Sequence, residues 1–528
     1  MSDLPSKKQI PLDAIVVIGG WLLVCFIEIL AIVTLNDGGF TYTLDDPYIH
    51  LAVAEQIAVG KYGINLEEFS SPSSSAIWPF LLAPLARLSI GEYLPLVLNL
   101  LFGALTAWVI LLRARKVLPG SQSGRIVLTW AVILCCNVTG IVFTGMEHSL
   151  QVLAAIVVVD GMIRIADGER LSRWFWVAVI AGPLVRYENL ALTAAACGLL
   201  LFSGKPKAAI ISGAAALLGL AAFSGFLLSL GLPAIPSSVV AKSHLTGSSG
   251  PLSKVIHSLN TSIAGNRGVL LLIFTAVLAG WAWARGITSH SRAKAALFIA
   301  SAGLLHAAFG TYGWYHRYEC YIYAALLYAL LSMVPSTLPG LAEKWRPAFA
   351  GAVLLLAIPV AYPYLRAIAF LPMASNDIYS QQEQMHRFAT GWWQRPVAVH
   401  DLGWVSYKND AYVLDLWGLG SQKALEARLS DKDPSWRIKM ARERGIGLVM
   451  VYERVIPGSA LGWIKVGELH VKGPLTSPIT PVVAFYATSP EFAPEIAGLL
   501  HDFRRTLPDR ASVILRGEPT PPTAADPR

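Results

Sequence analysis

Charge is the scarcest commodity in this chain. Of its 528 residues only 14% are Asp, Glu, Lys or Arg, against roughly a quarter in an average soluble protein. Apolar residues make up 54%, and the mean hydropathy is +0.53. That shortage excludes a soluble cytosolic enzyme, a disordered chain and a nucleic-acid binder, because so much apolar surface has no place but lipid. Cysteine is scarce too. Cys25, Cys135, Cys136, Cys197 and Cys320 all lie in or beside apolar runs, so neither a disulfide framework nor a zinc-ligand spacing is readable. Walker A, GxGxxG and HExxH signatures are missing, as is GxSxG in a supporting context, which leaves ATP-driven transport without sequence support. The lack of a convincing inverted repeat weakens a secondary-transporter reading.

The charge that is present is unevenly placed: 35 of the 76 charged residues fall between Asp377 and Arg528. Two bodies follow, a membrane domain over 1–370 and a water-facing α/β domain over 371–517, with a low-complexity, disordered tail at 518–528. Spans of about 20 apolar residues are expected at 12–34, 92–112, 126–143, 148–166, 174–187, 189–203, 208–230, 268–284, 295–312, 318–334 and 348–367. The first is too long for a cleaved signal and reads as a signal anchor. A further run at 76–90, broken by Pro79, Pro84 and Arg87, reads as a re-entrant or interfacial helix. The fold class is therefore a polytopic α-helical membrane protein of about 11 spans plus that helix, with a C-terminal α/β domain.

Lys and Arg set the sides. Lys7 and Lys8, then Arg113 to Arg125, Arg170 with Arg173, Lys205 with Lys207, Arg285 to Lys294, and Lys344 with Arg346 all fall inside if 76–90 does not cross. This puts the N-terminus in the cytoplasm and the C-terminal domain outside. The remaining unusual polar residues then converge on the outer side: Asp45 and Asp46 in the first outer loop (36–76), Glu147 with His148, Arg186 with Glu188, Lys242 and His244, and His316, Arg317 and Glu319. Ionisable groups gathered at one membrane face mark a site.

In Tyr42-Thr-Leu-Asp45-Asp46-Pro-Tyr48, paired carboxylates suit a general base with an orienting partner, or a metal site. A helix cap before Pro47 is the structural alternative, and Asp46 capping while Asp45 points elsewhere satisfies both. The hydroxyl-rich loop from Glu67 to Pro79, entering the 76–90 helix, reads first as a polar turn and otherwise as a source of hydroxyl donors to a sugar or phosphate. Arg186, Lys242 and Arg317, with His316 beside the last, are outer-face cations opposite the carboxylate pair, the arrangement a phosphate leaving group needs. Short β-rich runs at 397–400, 411–416, 447–452, 481–486 and 512–515 alternate with helical patterns near 421–444 and 490–506, which gives the outer domain an α/β layer.

Taken in order, Asp45-Asp46-Pro-Tyr48, Thr144-Gly-Met-Glu147, Arg186-Tyr-Glu188, Pro236-Ser-Ser-Val-Val-Ala-Lys242, Arg317-Tyr318, Val397-Ala-Val-His-Asp401-Leu-Gly403 and Val413-Leu-Asp415-Leu-Trp-Gly418-Leu419 resemble the motifs of the GT-C class of polyprenyl-phosphate-sugar-dependent membrane glycosyltransferases. Within that class they look most like the family of the actinobacterial arabinofuranosyltransferase B. Tyr187, where Pro is commoner, and His148, where Thr is usual, depart from that pattern. The resemblance implies inverting transfer of a hexosyl or pentosyl unit from a polyprenyl-phosphate sugar to a hydroxyl of a cell-envelope glycan or glycolipid, of cell-wall or lipopolysaccharide type, at the outer face of a bacterial inner membrane. On that reading Asp45 is the general base, and Asp46 and Tyr48 orient it or the sugar. Arg317, Lys242, Arg186 and His316 hold the donor phosphate, and Glu147, His148, Glu188 and Glu319 contact substrate or fix the cations. No cofactor is required by these residues; if a divalent cation takes part, Asp45 and Asp46 are its ligands. The partners implied are the lipid-linked donor, the glycan acceptor and the bilayer, with no nucleic acid. The alternative from another class is a transporter or flippase of polyprenyl-linked glycans, which requires charges through the bundle midplane.

Overall fold

The computed structural model describes residues 11–242, 251–313, 315–337, 346–430 and 433–519. Among the described residues six helices are long and apolar enough to cross a membrane: Leu12–Leu35, Gly91–Val117, Gln122–Thr144, His148–Ala166, Pro206–Ser229 and Asn266–Arg285. Ala357–Ala369 passes the same test only together with Leu371–Trp393, across a bend of 42°, and this second limb packs against the first loop and the α/β unit, where Thr41 meets Glu383 and Gln381 meets Thr480. The other expected spans also coincide with helices. Arg173–Val185 and Leu190–Phe202 have 13 residues each and rise about 20 Å apiece, less than the roughly 30 Å of a hydrocarbon core. Ser291–Phe309 and Cys320–Thr337 complete the set. In the 76–90 run, helix Trp78–Leu82 passes into a 3-10 turn, Ala83–Leu85. These eight residues rise only about 12 Å and cannot cross.

Local chemistry explains where the helices begin. Proline occupies a first-turn position in Asp46–Ile57, Leu94–Val117 and Pro206–Ser229, where its missing N–H costs nothing. Ser121 and Ser172 cap the helices that follow them by accepting backbone N–H groups. Packing then selects small residues at crossings. A Cβ on Gly103 would lie 2.4 Å from the Trp21 ring, so the indole fills the space that a side chain at 103 would need. The basic loops meet at one end of the bundle: Arg115 donates to Asp13 at 2.6 and 3.0 Å, Lys116 reaches Glu169 at 3.1 Å, and Arg292 reaches Asp167 at 2.5 and 2.9 Å. Lys7 and Lys8, Lys344, His244 and the tail from 520 onward lie outside the described residues.

Beyond the bundle lies a six-stranded mixed sheet: β1 (Val397–Val399), β2 (Val413–Asp415), β3 (Leu448–Val451), β4 (Ile464–Val471), β5 (Val482–Ala487) and β6 (Ala511–Leu515). The order is β2-β1-β3-β5-β4-β6. β1 is parallel to β2 and β3, and the remaining pairs are antiparallel. Helices Gln422–Ser430, Trp436–Glu443 and Ala493–Phe503 fall where the helical patterns place them. Five strands coincide with the expected β-rich runs. β4 was not anticipated, because Lys465, Glu468 and His470 interrupt its apolar alternation. Those charges satisfy one another, with Lys465 at 2.5 Å and His470 at 2.7 Å from Glu468.

The first loop and this α/β unit are locked together. Asn65 gives its side-chain N–H to the Val413 carbonyl at 3.0 Å and accepts the Val413 N–H at 2.9 Å, so one side chain pairs with the β2 edge as a strand would. Ser421 donates to Glu68 at 2.9 Å and Arg444 at 3.1 Å, and Tyr412 donates to the same carboxylate. Asn376 reaches Leu35 and Asn36, and Asp377 accepts the N–H groups of Thr476 and Ser477. Glu383 joins the lock by accepting from Thr41 Oγ1 at 2.7 Å. Burial pushes its carboxyl up to about 7, against the pull of Thr41 and Arg387. A carboxyl whose folded value is raised favours the fold while protonated, and that contribution is lost as pH climbs from its ordinary range through about 7. Glu383→Gln is therefore expected to raise the thermal midpoint in detergent at pH 8 and to leave it nearly unchanged at pH 4.5. An equal shift at both pH values refutes the titration.

Candidate active site

Asp45 and Asp46 sit at the start of helix Asp46–Ile57, and their side chains part company. Asp45 makes no cap bond to its own helix. Its two oxygens instead accept the backbone N–H groups of Gly403 at 2.7 Å and Trp404 at 2.8 Å, across the chain in the α/β unit. This explains the glycine in the Asp401-Leu-Gly403 motif: a Cβ there would lie 2.0 Å from the Asp45 carbonyl oxygen and 2.5 Å from its Cγ. Burial and the neighbouring charge of Asp401 push the Asp45 carboxyl well above the usual range, against the two N–H bonds that favour the anion. Asp401 itself accepts from Gln382 at 2.9 Å and Tyr452 at 2.5 Å. Tyr48, expected at the substrate, is buried in the same lock. Its ring stacks on Trp404 with centroids 3.9 Å apart, and its hydroxyl accepts the Tyr42 N–H at 3.1 Å.

Asp46 turns to the bundle and pairs with Arg317. Arg317 is 1% exposed, and its Nε and Nη1 have no hydrogen-bond partner among the described residues. Its guanidinium lies 5.2 Å from the Tyr318 ring centroid, and that of Arg186 lies 5.7 Å from the same centroid. One phenol ring thus connects two cationic centres. Arg186 holds Glu188 at 2.6 and 3.1 Å, Glu147 at 3.0 Å and Ser74 Oγ at 3.1 Å. Glu147 is fully buried. Burial opposes its ionisation, but His50, 3.6 Å away, and Arg186 together hold the carboxyl below the usual range. His50 shares a hydrogen bond with Ser73 at 3.0 Å. His148 is buried beside Tyr318, with ring centroids 6.3 Å apart.

A third cluster adjoins Arg317 in sequence. Glu319 is buried, accepts the Gly313 N–H at 3.0 Å, and lies 3.7 Å from His316 and 3.9 Å from Arg267. Tyr315 and His316 both hold positive φ, 65° and 54°, a costly conformation for consecutive non-glycine residues. Helix Ser237–Lys242 docks by Ser237 and Ser238 onto Ser71 and Ser73, and by Ser237 onto the Leu419 carbonyl. The side chain of Lys242 lies outside the described residues.

The structure thus gathers Asp46 with Arg317, and Glu147 with Arg186 and Glu188, and joins the two sets through Tyr318. It sends Asp45 and Tyr48 to the α/β unit. With its two carboxylates committed to different partners, the Asp45–Asp46 pair does not fit a shared divalent ion. No group of three or more His, Cys, Asp and Glu suited to a metal occurs among the described residues. Sequence reading missed three participants. His50 lies four residues after Asp46, on the same helical face. Ser74 belonged to the loop read as a polar turn. Arg267 opens a spanning helix and belongs to none of the sequence motifs.

Residues 375–489 match a family described as a domain of unknown function, DUF8728. No characterised protein matches the chain by sequence. By structure, the chain is similar to ArnT from Cupriavidus metallidurans in its apo state, with a TM-score of 0.50 and 12% identity over 92% of this chain and 98% of that one. It also aligns with the apo oligosaccharyltransferase of Archaeoglobus fulgidus, with a TM-score of 0.43 and 12% identity over 89% and 74% of the two chains. The alignment with the mycobacterial arabinofuranosyltransferase AftD has a TM-score of 0.39 and 13% identity, and covers 89% of this chain but 41% of that one. The likeness to ArnT extends over nearly the whole of both chains and is one of fold alone.

Gly403→Ala tests the lock at Asp45. Overpacking of this kind costs about 1–3 kcal/mol. The variant is expected to lower the thermal midpoint in detergent and to speed proteolysis within 400–420. Wild-type values for both measurements would mean that Asp45 does not hold the α/β unit.

Proposed function

We propose that this chain is an inverting glycosyltransferase. It moves a sugar from a polyprenyl-phosphate donor to a hydroxyl of a cell-envelope glycan or glycolipid, at the outer face of a bacterial inner membrane. The motifs from Asp45 to Leu419 that resemble those of the GT-C class, and the fold shared with ArnT over nearly the whole of both chains, support the class. The observation that carries the reading is Arg317: a buried guanidinium, paired on one side with Asp46 and holding two further nitrogens, Nε and Nη1, without a partner among the described residues. Buried donors of this kind are completed by water, an ion or a ligand, and a phosphate oxygen satisfies a guanidinium best.

The chemistry then assigns roles. The acceptor hydroxyl attacks the anomeric carbon from the face opposite the phosphate. The carbon–oxygen bond to phosphate breaks, its electron pair leaves with the phosphate, and the hydroxyl proton passes to a carboxylate. Asp45 is the base in this scheme. Its raised proton affinity suits the task, and the Gly403 and Trp404 N–H groups fix its orientation while each oxygen keeps a second lone pair. Arg317, with Lys242, Arg186 and His316, meets the charge that grows on the leaving phosphate. Asp46 orients Arg317. Glu147, His148, Glu188 and Glu319 hold the cations and bind sugar hydroxyls. The observed ion pairs gather at the two ends of the bundle, which speaks against a transporter with charges along its midplane.

Membranes carrying wild type, Asp45→Asn or Arg317→Ala at matched expression provide the test, read as release of polyprenyl phosphate from a panel of polyprenyl-phosphate sugars. Asp45→Asn is expected to lower turnover by about 10²–10⁴-fold with donor binding retained. Arg317→Ala is expected to weaken donor binding by about tenfold or more. Equal turnover by Asp45→Asn removes the base assignment. Unchanged donor binding in Arg317→Ala removes the phosphate assignment.

A further inference from the structure

Helix Pro251–Ala264 lies between the candidate site and a spanning helix, in a stretch read from sequence as loop, and its faces are arranged in an unusual way. Gly265 joins it to Asn266–Arg285. Its protein-facing flank is polar. Ser262 is fully buried, donates to the Ala307 carbonyl at 2.9 Å and bonds the Tyr312 hydroxyl at 2.8 Å, while Val255 and Ser258 are half-buried on the same flank. The aliphatic side chains point away from the protein: Ile256 is 49%, Leu259 37% and Ile263 64% exposed. At 3.6 residues per turn these three fall within an arc of about 60°. His257 and Thr261 lie on the other side of the helix and are also exposed.

Three flanks thus meet three environments. The hydroxyl flank is satisfied by the protein, and the His257–Thr261 flank suits water or headgroups. The contiguous aliphatic stripe is out of place in water. The next helix, joined to it by Gly265, also turns aliphatic side chains outward, with Val269, Ile273 and Val277 38%, 48% and 53% exposed, and is apolar enough to cross a membrane. Composition points the same way. No Asp or Glu occurs from Asn189 to Tyr318, whereas Lys242, Lys254 and Arg267 occur within this outer segment. Nothing in it therefore repels anionic headgroups. We propose that helix Pro251–Ala264 is seated in the boundary between headgroups and acyl chains of the bilayer, with Ile256, Leu259 and Ile263 in the acyl layer. It lies level with the candidate site, since Arg267, just beyond its end, approaches Glu319. This reading does not depend on the transferase activity.

Depth-resolved quenching tests it on the full chain. An environment-sensitive fluorophore is placed on Ile256→Cys, Ile263→Cys or Thr261→Cys in phosphatidylglycerol–phosphatidylcholine vesicles. The parent chain, whose five cysteines are buried or half-buried, sets the label background. A nitroxide high on the acyl chain is expected to quench positions 256 and 263 at least threefold more than position 261. Aqueous iodide is expected to show the reverse order. Equal iodide quenching at all three positions overturns the proposal, because the stripe then faces water. Protection of 256 and 263 from both quenchers also overturns it, because another protein surface then covers the stripe.

Discussion

Two adjacent carboxylates pulled in opposite directions hold this molecule together. Asp45 is bound by the N–H groups of Gly403 and Trp404, and Asp46 by the guanidinium of Arg317. Helix Asp46–Ile57 is thereby pinned between the α/β unit and the helical bundle, and its first turn can shift toward neither without breaking a charge-assisted bond. Breaking such a pair by removing one partner strands a buried charge, at a typical cost of 3–5 kcal/mol. A modest number of contacts therefore fixes two large bodies in one arrangement.

The rest of the site follows the same logic of charges that are paired but not all saturated. Arg186 is fully used, with Glu188 on one edge and Glu147 and Ser74 on the other. Arg317 is half used. The two guanidiniums are similar in burial and share a ring, yet only one keeps donors to offer. On the proposed reading the saturated Arg186 acts on the phosphate through its field, and Arg317 through direct hydrogen bonds.

Much of this was legible from residue order, and the boundary of legibility is physical. Apolar runs of span length and alternating β-branched runs are one-dimensional signals, and the helices and five strands follow from them. β4 was hidden because its charges neutralise one another along the strand, a pairing that only folding reveals. Helix Pro251–Ala264 was hidden because its amphipathy runs opposite to that of a soluble helix, with serines inward and isoleucines outward. Asp45, Asp46, Arg186 and Arg317 stood out because ionisable groups are rare in such a chain. Which carboxylate meets which partner was not legible, since Asp45 and Gly403 are 358 positions apart.

That separation also has a meaning in time. Residues leave the ribosome at about 5–20 per second, so the chain carrying Asp45 waits some tens of seconds for its partner to be made. Throughout that interval the first loop has neither Gly403 nor Val413 to bind, and Asn65 has no strand to seal. The assembled centre is therefore among the last features of the molecule to come into being. A chain truncated before residue 403 would insert most of its helices and still lack a site.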